Sequence, residues 1–253
     1  MKYRDEKDIQ EFKKVNTDSW DTVKDDVFVR FVNTKCVDRY NDDIAKTKFM
    51  DLSMTFAINE VIGGSMISHM LTNKEIEQYG VTIDTVKAKA VENSTNDRRK
   101  RIISFKESIL RTNPMHAILR ISDMPMMMGT NQQNGGILED IDENGNPNIL
   151  MVMNSVDAFG ASYAFLPKVL NDIYERFDYS NFYLLPLSVH SVMCIKNSYA
   201  TRNGEKTTRE AEEDLLDLVL HMNDNTNKSW KDILSYRIYY FIGDDGKVIV
   251  PIK

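Results

Sequence analysis

Phe49-Met50-Asp51-Leu52-Ser53-Met54-Thr55-Phe56-Ala57-Ile58-Asn59-Glu60 is the stretch on which the fold turns. Met50, Leu52, Met54, Phe56 and Ile58 alternate with Asp51, Ser53, Thr55, Ala57 and Asn59. A period of two puts the large apolar side chains on one face of a strand and the small or polar ones on the other. Gly63-Gly64 supplies turn residues that tolerate positive φ, and residues 65–72 read as a return strand. The segment predicts a β-hairpin over 49–72, with Asp51 on the polar side of its first strand.

Upstream, Asp26-Val27-Phe28-Val29-Arg30-Phe31-Val32-Asn33 is rich in β-branched and aromatic residues and predicts another strand. Residues 35–46 are polar and predict a short helix or loop. Ile9, Phe12 and Val15 stand at helical spacing in a charged segment, as in an amphipathic helix or tail. Downstream, Asn73 is expected to cap a helix over 74–79 that Gly80 ends in the left-handed region. Thr82 opens a second helix with Val86, Ala90 and Val91 inward, and residues 104–110 read as a third.

Beyond residue 148 the pattern repeats. Ile149 to Asn154 and Ala161 to Leu166 predict a hairpin over 149–166. Pro167 suits a first helical turn, and Val169, Leu170, Ile173 and Phe177 form that helix's apolar stripe. Two strands over 181–196 turn at Leu187-Ser188, and Thr207-Thr208-Arg209-Glu210 is a capping box. A last hairpin over 235–251 folds around Gly243-Asp244-Asp245-Gly246. Hairpins with helices between them predict an α+β fold of antiparallel or mixed sheets with helices packed on one side. The expected organisation is a helix or tail over 1–19, an α+β half over 20–128, an acidic Gly/Asn-rich loop over 129–148 and a second half over 149–253, the two halves being compatible with one continuous domain.

The chain has 253 residues, 42% of them hydrophobic, and a formal charge of −6. That is enough apolar material for a core. Mild acidity speaks against nonspecific nucleic-acid binding, which needs clustered Lys and Arg. The one basic run, Arg98-Arg99-Lys100-Arg101, reads as a solvated helix end. Two cysteines, Cys36 and Cys194, exclude a disulfide framework and any metal site without histidine. No leader and no membrane-length apolar run is evident, and the cytoplasm is the expected compartment. Neither G-x-G-x-x-G nor a Walker loop occurs, so no cofactor is expected. Met124-Pro125-Met126-Met127-Met128 reads as packing or interface material rather than a metal site. At Glu139 to Asn146 a β-turn at Asn144-Gly145 is expected rather than a calcium loop.

Four polar positions are candidates for chemistry. Ser188 and His190 stand two apart, which on a strand puts them on one face, though at about 6.5–7 Å. That spacing is poor for a histidine activating a serine, which needs hydrogen-bond reach and a third orienting group. Asp51 is expected to face solvent or bond nearby backbone, and Asn154 to cap a strand end. For all four the structural role is the expected one. His69 and His221 lack a partner at metal-binding spacing. Tyr236, Tyr239 and Tyr240 are expected in the core rather than as a base-stacking surface.

An ordered set of segments carries a resemblance. These are Trp20 to Lys24 running into Val29 to Asn33, Lys48 to Ser53, Leu71-Thr72-Asn73 with Tyr79-Gly80-Val81, Val152-Met153-Asn154 with Gly160-Ala161-Ser162, Leu166-Pro167, and Tyr183 to His190. Together they resemble a bacterial family of unknown function, common in gut anaerobes, often near mobile elements and distantly similar to YtpQ-like proteins. The resemblance implies a fold and positions, not a reaction. It also implies an additional N-terminal region, missing here, and an acidic residue after the Ser-x-His, where this chain has Ser191.

The leading expectation is a non-catalytic protein-interaction or regulatory factor encoded by a phage or mobile element, binding a protein partner through a strand edge or the Met-rich segment. The first alternative is a hydrolase using His190 with Ser188 or Asp51. The second is an acidic inhibitor of a nucleic-acid-binding enzyme, presenting residues 139–143 and the Glu210-Glu212-Glu213-Asp214 helix.

Overall fold

A computed structural model describes residues 19–37, 41–62, 65–111, 141–142, 144–156, 158–225, 229–243 and 248–252. Ten strands form two sheets among these residues. The smaller contains β1 (Val27–Asn33), β2 (Lys46–Phe49), β3 (Leu52–Ile62) and β4 (Ser65–Met70). β3 is its spine. β1 lies along one side, from Val27 opposite Ile58 to Asn33 opposite Leu52. The other side is shared, β2 pairing with the first part of β3 and β4 with the second.

The larger sheet contains β5 (Lys100–Ser104), β6 (Ile149–Asn154), β7 (Phe182–Pro186), β8 (Val192–Lys196), β9 (Ile238–Ile242) and β10 (Val248–Ile252). Its spatial order is β10-β9-β7-β8-β6-β5, with every neighbouring pair antiparallel. The α+β class and the hairpins at 49–72, 181–196 and 235–251 are borne out. The Gly63-Gly64 and Asp244 to Gly246 turns lie outside the described residues, as does the Met124 to Met128 cluster.

The helices are α1 (Trp20–Val23), α2 (Asn73–Gln78), α3 (Ile83–Asn96), α4 (Phe105–Arg111), α5 (Pro167–Arg176), α6 (Asn197–Ala200) and α7 (Thr208–Asn225). Local chemistry sets their ends. The Thr207 hydroxyl accepts from the Glu210 N–H at 3.2 Å while the Glu210 carboxylate accepts from the Thr207 N–H at 2.8 Å, the predicted capping box. α2 carries a second such box one residue earlier than expected. Thr72, not Asn73, is its cap, because Glu75 stands three positions on to reach back. Gly80 is left-handed (φ +67°) just past α2, as its position predicts.

One core cluster joins both sheets. Phe31, Phe56 and Ile58 of the smaller sheet, Val86 and Ala90 of α3, Leu184, Cys194 and Phe241 of the larger sheet, and Val169 and Ile173 of α5 all belong to it. The larger sheet's opposite face packs Met151, Tyr183, Leu185 and Met193 against Leu215, Leu218 and Val219 of α7. Residues from the two halves of the sequence thus share a core. Helices lie on one face of the smaller sheet within that core and on both faces of the larger one, which is more than one-sided packing supplies.

Three expectations need correction. The hairpin at 149–166 does not form: Gly160–Phe165 is a 3-10 turn, and β6 pairs with β8 and β5 instead. All six residues of that turn are buried, and a short run buried all round carries no periodicity to separate strand from helix. The second concerns the basic run. Arg98 and Arg99 follow the end of α3, but Lys100 and Arg101 open β5, an edge strand where outward-facing charges are tolerated; the described residues of 35–46 are turn and loop, as expected, until Lys46 opens β2. The third is the start of the 49–60 strand, which breaks at Met50-Asp51. Phe49 pairs with Leu52 across a two-residue turn in which Met50 takes φ +52°.

Candidate functional site

Asp51 therefore sits at the tip of the β2–β3 turn, not on the polar face of a strand. The turn points its carboxylate at the larger sheet. Tyr239 of β9 donates its hydroxyl to Oδ1 at 2.9 Å, and Ser235 donates to Oδ2 at 3.0 Å. Both donors are fully buried. Ser235 Oγ accepts in turn from the Arg237 N–H at 3.1 Å, and the Arg237 guanidinium stands 4.0 Å from Asp51. Burial, then the nearby Asp51 charge, pushes the Tyr239 hydroxyl far up, so it remains a donor. Phe165 completes this junction, its ring 5.2 Å from Phe31, 5.9 Å from Phe49 and 5.3 Å from Tyr239.

Ser188 and His190 lie in the corner between β7 and β8, which starts at Val192 and not at Val189 as the sequence suggests. They share no strand face, and the corner uses them locally. The His190 N–H donates to Ser188 Oγ at 3.0 Å. The ring takes a different partner: Nδ1 accepts from the Phe159 N–H at 3.2 Å. An accepting Nδ1 fixes the neutral tautomer with its proton on Nε2. That nitrogen faces Asp232 Oδ1 at 3.8 Å. Asp232 also accepts the Val189 N–H on its backbone carbonyl at 2.8 Å, which pins the loop before β9 to the corner. Phe159 is left-handed (φ +57°), and the Arg30 guanidinium of β1 lies 3.7 Å above its ring.

Asn154 is buried at the end of β6 and organises the loop that follows. Its Oδ1 accepts from the N–H groups of Val156 and Ala158, each at 3.0 Å, and its Nδ2 donates to the Ala158 carbonyl. The loop delivers Gly160 against β6 so closely that a Cβ there would stand 2.4 Å from the Asn154 nitrogen. Of the four candidate residues, Ser188 and His190 are together and Asn154 is nearby through the 155–159 loop. Asp51 belongs to the separate junction with Ser235 and Tyr239.

A model of a family of unknown function, DUF5688, matches residues 1–242. The chain belongs to that family. No curated protein matches it, and neither does any solved structure. In this DUF5688 member the side chains that touch the sequence-predicted positions are themselves largely new. Asp232, Ser235 and Phe159 carry no motif and no spacing to His190 or Asp51 that a reader of the sequence could use. Asp232 reaches the histidine from a distant segment, while position 191, next to it in sequence, carries a serine.

A further polar knot joins α3 to the 3-10 turn. Arg99 and Tyr163 both donate to the Asp97 carboxylate, and the Arg99 guanidinium lies 4.8 Å from the Phe28 ring centre. Burial raises the Asp97 carboxyl, but hydrogen bonds from the Arg99 side chain, Tyr163 and the Arg99 backbone outweigh it and hold it below its ordinary value. His69 is not alone either, with Nε2 at 2.6 Å from Glu75 Oε1. Three of the described acidic positions pair with cations: Asp142 with Lys196 at 3.0 Å, Glu213 with Arg209 at 2.9 Å and Asp214 with Lys206. A turn does form at Asn144-Gly145, with the Gly145 N–H donating to the Asp142 carbonyl at 3.0 Å.

Among the described residues no group of three His, Cys, Asp or Glu side chains could hold a metal ion, and no helix is long and apolar enough to cross a membrane. Tyr239 is in the core as expected. Tyr236 is not: it is 48% exposed, because β9 begins at Ile238, two residues beyond it.

Proposed function

We propose that the chain is a non-catalytic protein-binding or regulatory factor of the bacterial cytoplasm that takes an extended segment of its partner along the outer edge of β10. One observation carries this reading: each candidate side chain is engaged by the fold's own groups. Asp51 holds two buried hydroxyls, Asn154 holds its own loop, Ser188 takes a backbone N–H, and His190 Nδ1 takes another. β10 supplies the docking edge. It ends the larger sheet, with no further strand paired to it among the described residues, and Val250 is 40% exposed. A partner strand there would gain ladder hydrogen bonds, with side-chain pockets giving specificity. Encoding by a phage or mobile element rests on the family resemblance and is part of this proposal.

Affinity capture from the native host tests it. A protein recovered by the wild type and lost with Val250→Lys is the expected result. No protein above background with the wild type overturns it. The rival, a hydrolase using His190, is favoured by the Asp232 carboxylate facing Nε2. It requires ester hydrolysis that falls with both His190→Ala and Asp232→Asn. The proposed reading expects no turnover above buffer from any of the three proteins.

A further inference from the structure

Among the described residues the larger sheet ends in β5 on one side and β10 on the other, and the ladder fixes which backbone groups each turns outward. The Ser155 N–H donates to the Arg99 carbonyl at 2.9 Å, one step before Lys100 meets Asn154. In an antiparallel pair, residues that exchange hydrogen bonds alternate with residues that do not. Arg101 and Ile103 therefore bond inward to β6, while Lys100, Ile102 and Ser104 turn their N–H and C=O groups away from the sheet. The same count runs to the other edge. The Asn197 N–H donates to the Asn181 carbonyl at 2.9 Å, which sends the backbone of Phe182 and Leu184 toward β9. Tyr240 and Ile242 then bond to Val250 and Val248, and Ile249 and Pro251 of β10 face outward. The missing N–H of Pro251 falls on the outer side, the side on which an edge strand tolerates proline.

The two edges differ in what meets their outward groups. On β5 the fold supplies partners. The Lys100 N–H donates to the Asp97 carbonyl at 3.2 Å. The Lys100 carbonyl accepts from the Arg101 guanidinium at 2.9 Å, and the same nitrogen donates to the Arg98 carbonyl at 2.6 Å. The Ile102 carbonyl accepts at 2.7 Å from the guanidinium of Arg176, the last residue of α5. That bond joins positions 74 apart in sequence, so no local turn imposes it. Each guanidinium stands where an added strand would place its own N–H. The strand would have to displace the charge or bury it, and both are costly. β10, by contrast, reads Val-Ile-Val-Pro-Ile and carries no ionisable side chain.

We propose that Arg101 and Arg176 are edge guards that close β5 to an added strand, above all one from a second copy of this chain, and so confine extension of the larger sheet to β10. The inference goes beyond the protein-binding role proposed above and holds whether or not a partner docks on β10.

Sedimentation equilibrium of the full chain tests it by comparing wild type with Arg101→Ala/Arg176→Ala. Arg176 is exposed and Arg101 partly so, and the variant should unfold near the wild-type temperature. It should self-associate about tenfold or more tightly than wild type, the effect of two freed carbonyls each gaining a net hydrogen bond. Its Ile102 N–H should exchange with solvent about tenfold more slowly once the chains associate, because that group joins the new ladder. Arg176→Ala alone should give a smaller step in the same direction. Arg98→Ala/Lys168→Ala removes two exposed positive charges from the end of α3 and the start of α5 without freeing an outward carbonyl, and should sediment as wild type does. The guards are refuted if the double variant matches wild type in mass at every concentration, if it associates with Ile102 exchange unchanged, or if the charge control associates as strongly.

Discussion

The two ends of the seam between the sheets are closed by different means. At one end a single carboxylate, Asp51, reaches from a hairpin tip and gathers two buried hydroxyls. At the other, backbone meets backbone. Gly160 lies against Met153 and Asn154, and the Ser162 hydroxyl accepts the Phe31 N–H of β1 at 2.9 Å. Two positions along the same edge the Ser94 hydroxyl of α3 accepts the Val29 N–H at 2.8 Å, and Asn93 donates to the Lys24 and Val27 carbonyls. β1 is an edge strand, and such edges invite pairing with other chains. Here small hydroxyls satisfy it from within, so the strand is buried along its whole length. The first closure is a point contact that depends on charge. The second depends on shape and backbone hydrogen bonding.

Substitutions should separate the two. The largest effect is expected from Gly160→Ala. A Cβ 2.4 Å from the Asn154 nitrogen and 2.5 Å from the Met153 carbonyl carbon meets backbone, which no rotamer can relieve. The variant should lose more than about 4 kcal/mol or fail to fold, read by urea denaturation. Asp51→Ala should follow, at about 1–3 kcal/mol, because the buried Tyr239 and Ser235 hydroxyls, 3.0 Å apart, can bond each other but leave one donor without an acceptor. A loss below about 0.5 kcal/mol in the same denaturation series would show that this end of the seam is ornamental.

Ser162→Ala and Ser94→Ala each leave one buried strand N–H without an acceptor and should cost about 1–2 kcal/mol apiece. Equal losses from the two would mean that the edge, rather than the seam, is what the hydroxyls protect. The smallest effect is a matter of pH. Asp97 titrates below its ordinary value of 3.8 in the folded chain. Its contribution is therefore present above that value and is lost as pH falls through the lower, folded one. Asp97→Asn should be less stable than wild type at neutral pH and should show a shallower loss on acidification, followed by thermal unfolding across the acid range.

The sequence disclosed what repeats locally. Period-two alternation placed β3, and the Thr207-x-x-Glu210 spacing placed the start of α7, because each signal lies within a few residues. β2 and β5 escaped, since Lys46-Thr47-Lys48 and Lys100-Arg101 carry charges that only an edge position makes acceptable in a strand. The 3-10 turn escaped because a short run buried on every side carries no period to separate strand from helix, and that burial was invisible without the second sheet. The candidate site divides in the same way. His190, Ser188, Asn154 and Asp51 stood out as polar residues in apolar surroundings. Their partners did not, because Asp232, Tyr239 and Phe159 reach them through tertiary structure.

The bond from Ser235 to Asp51 spans 184 residues of chain. Closing so long a loop costs conformational entropy before any contact rewards it, whereas the β3–β4 hairpin closes over a handful of residues. The hairpins should therefore assemble early and the Asp51 junction last. In refolding experiments Asp51→Ala should speed unfolding and leave the folding rate almost unchanged, a φ-value near zero. On the ribosome the order is stricter still: the strands of the smaller sheet, residues 27–70, are all made well before Ser235 and Tyr239, so Asp51 waits without its hydroxyl partners until that later segment emerges.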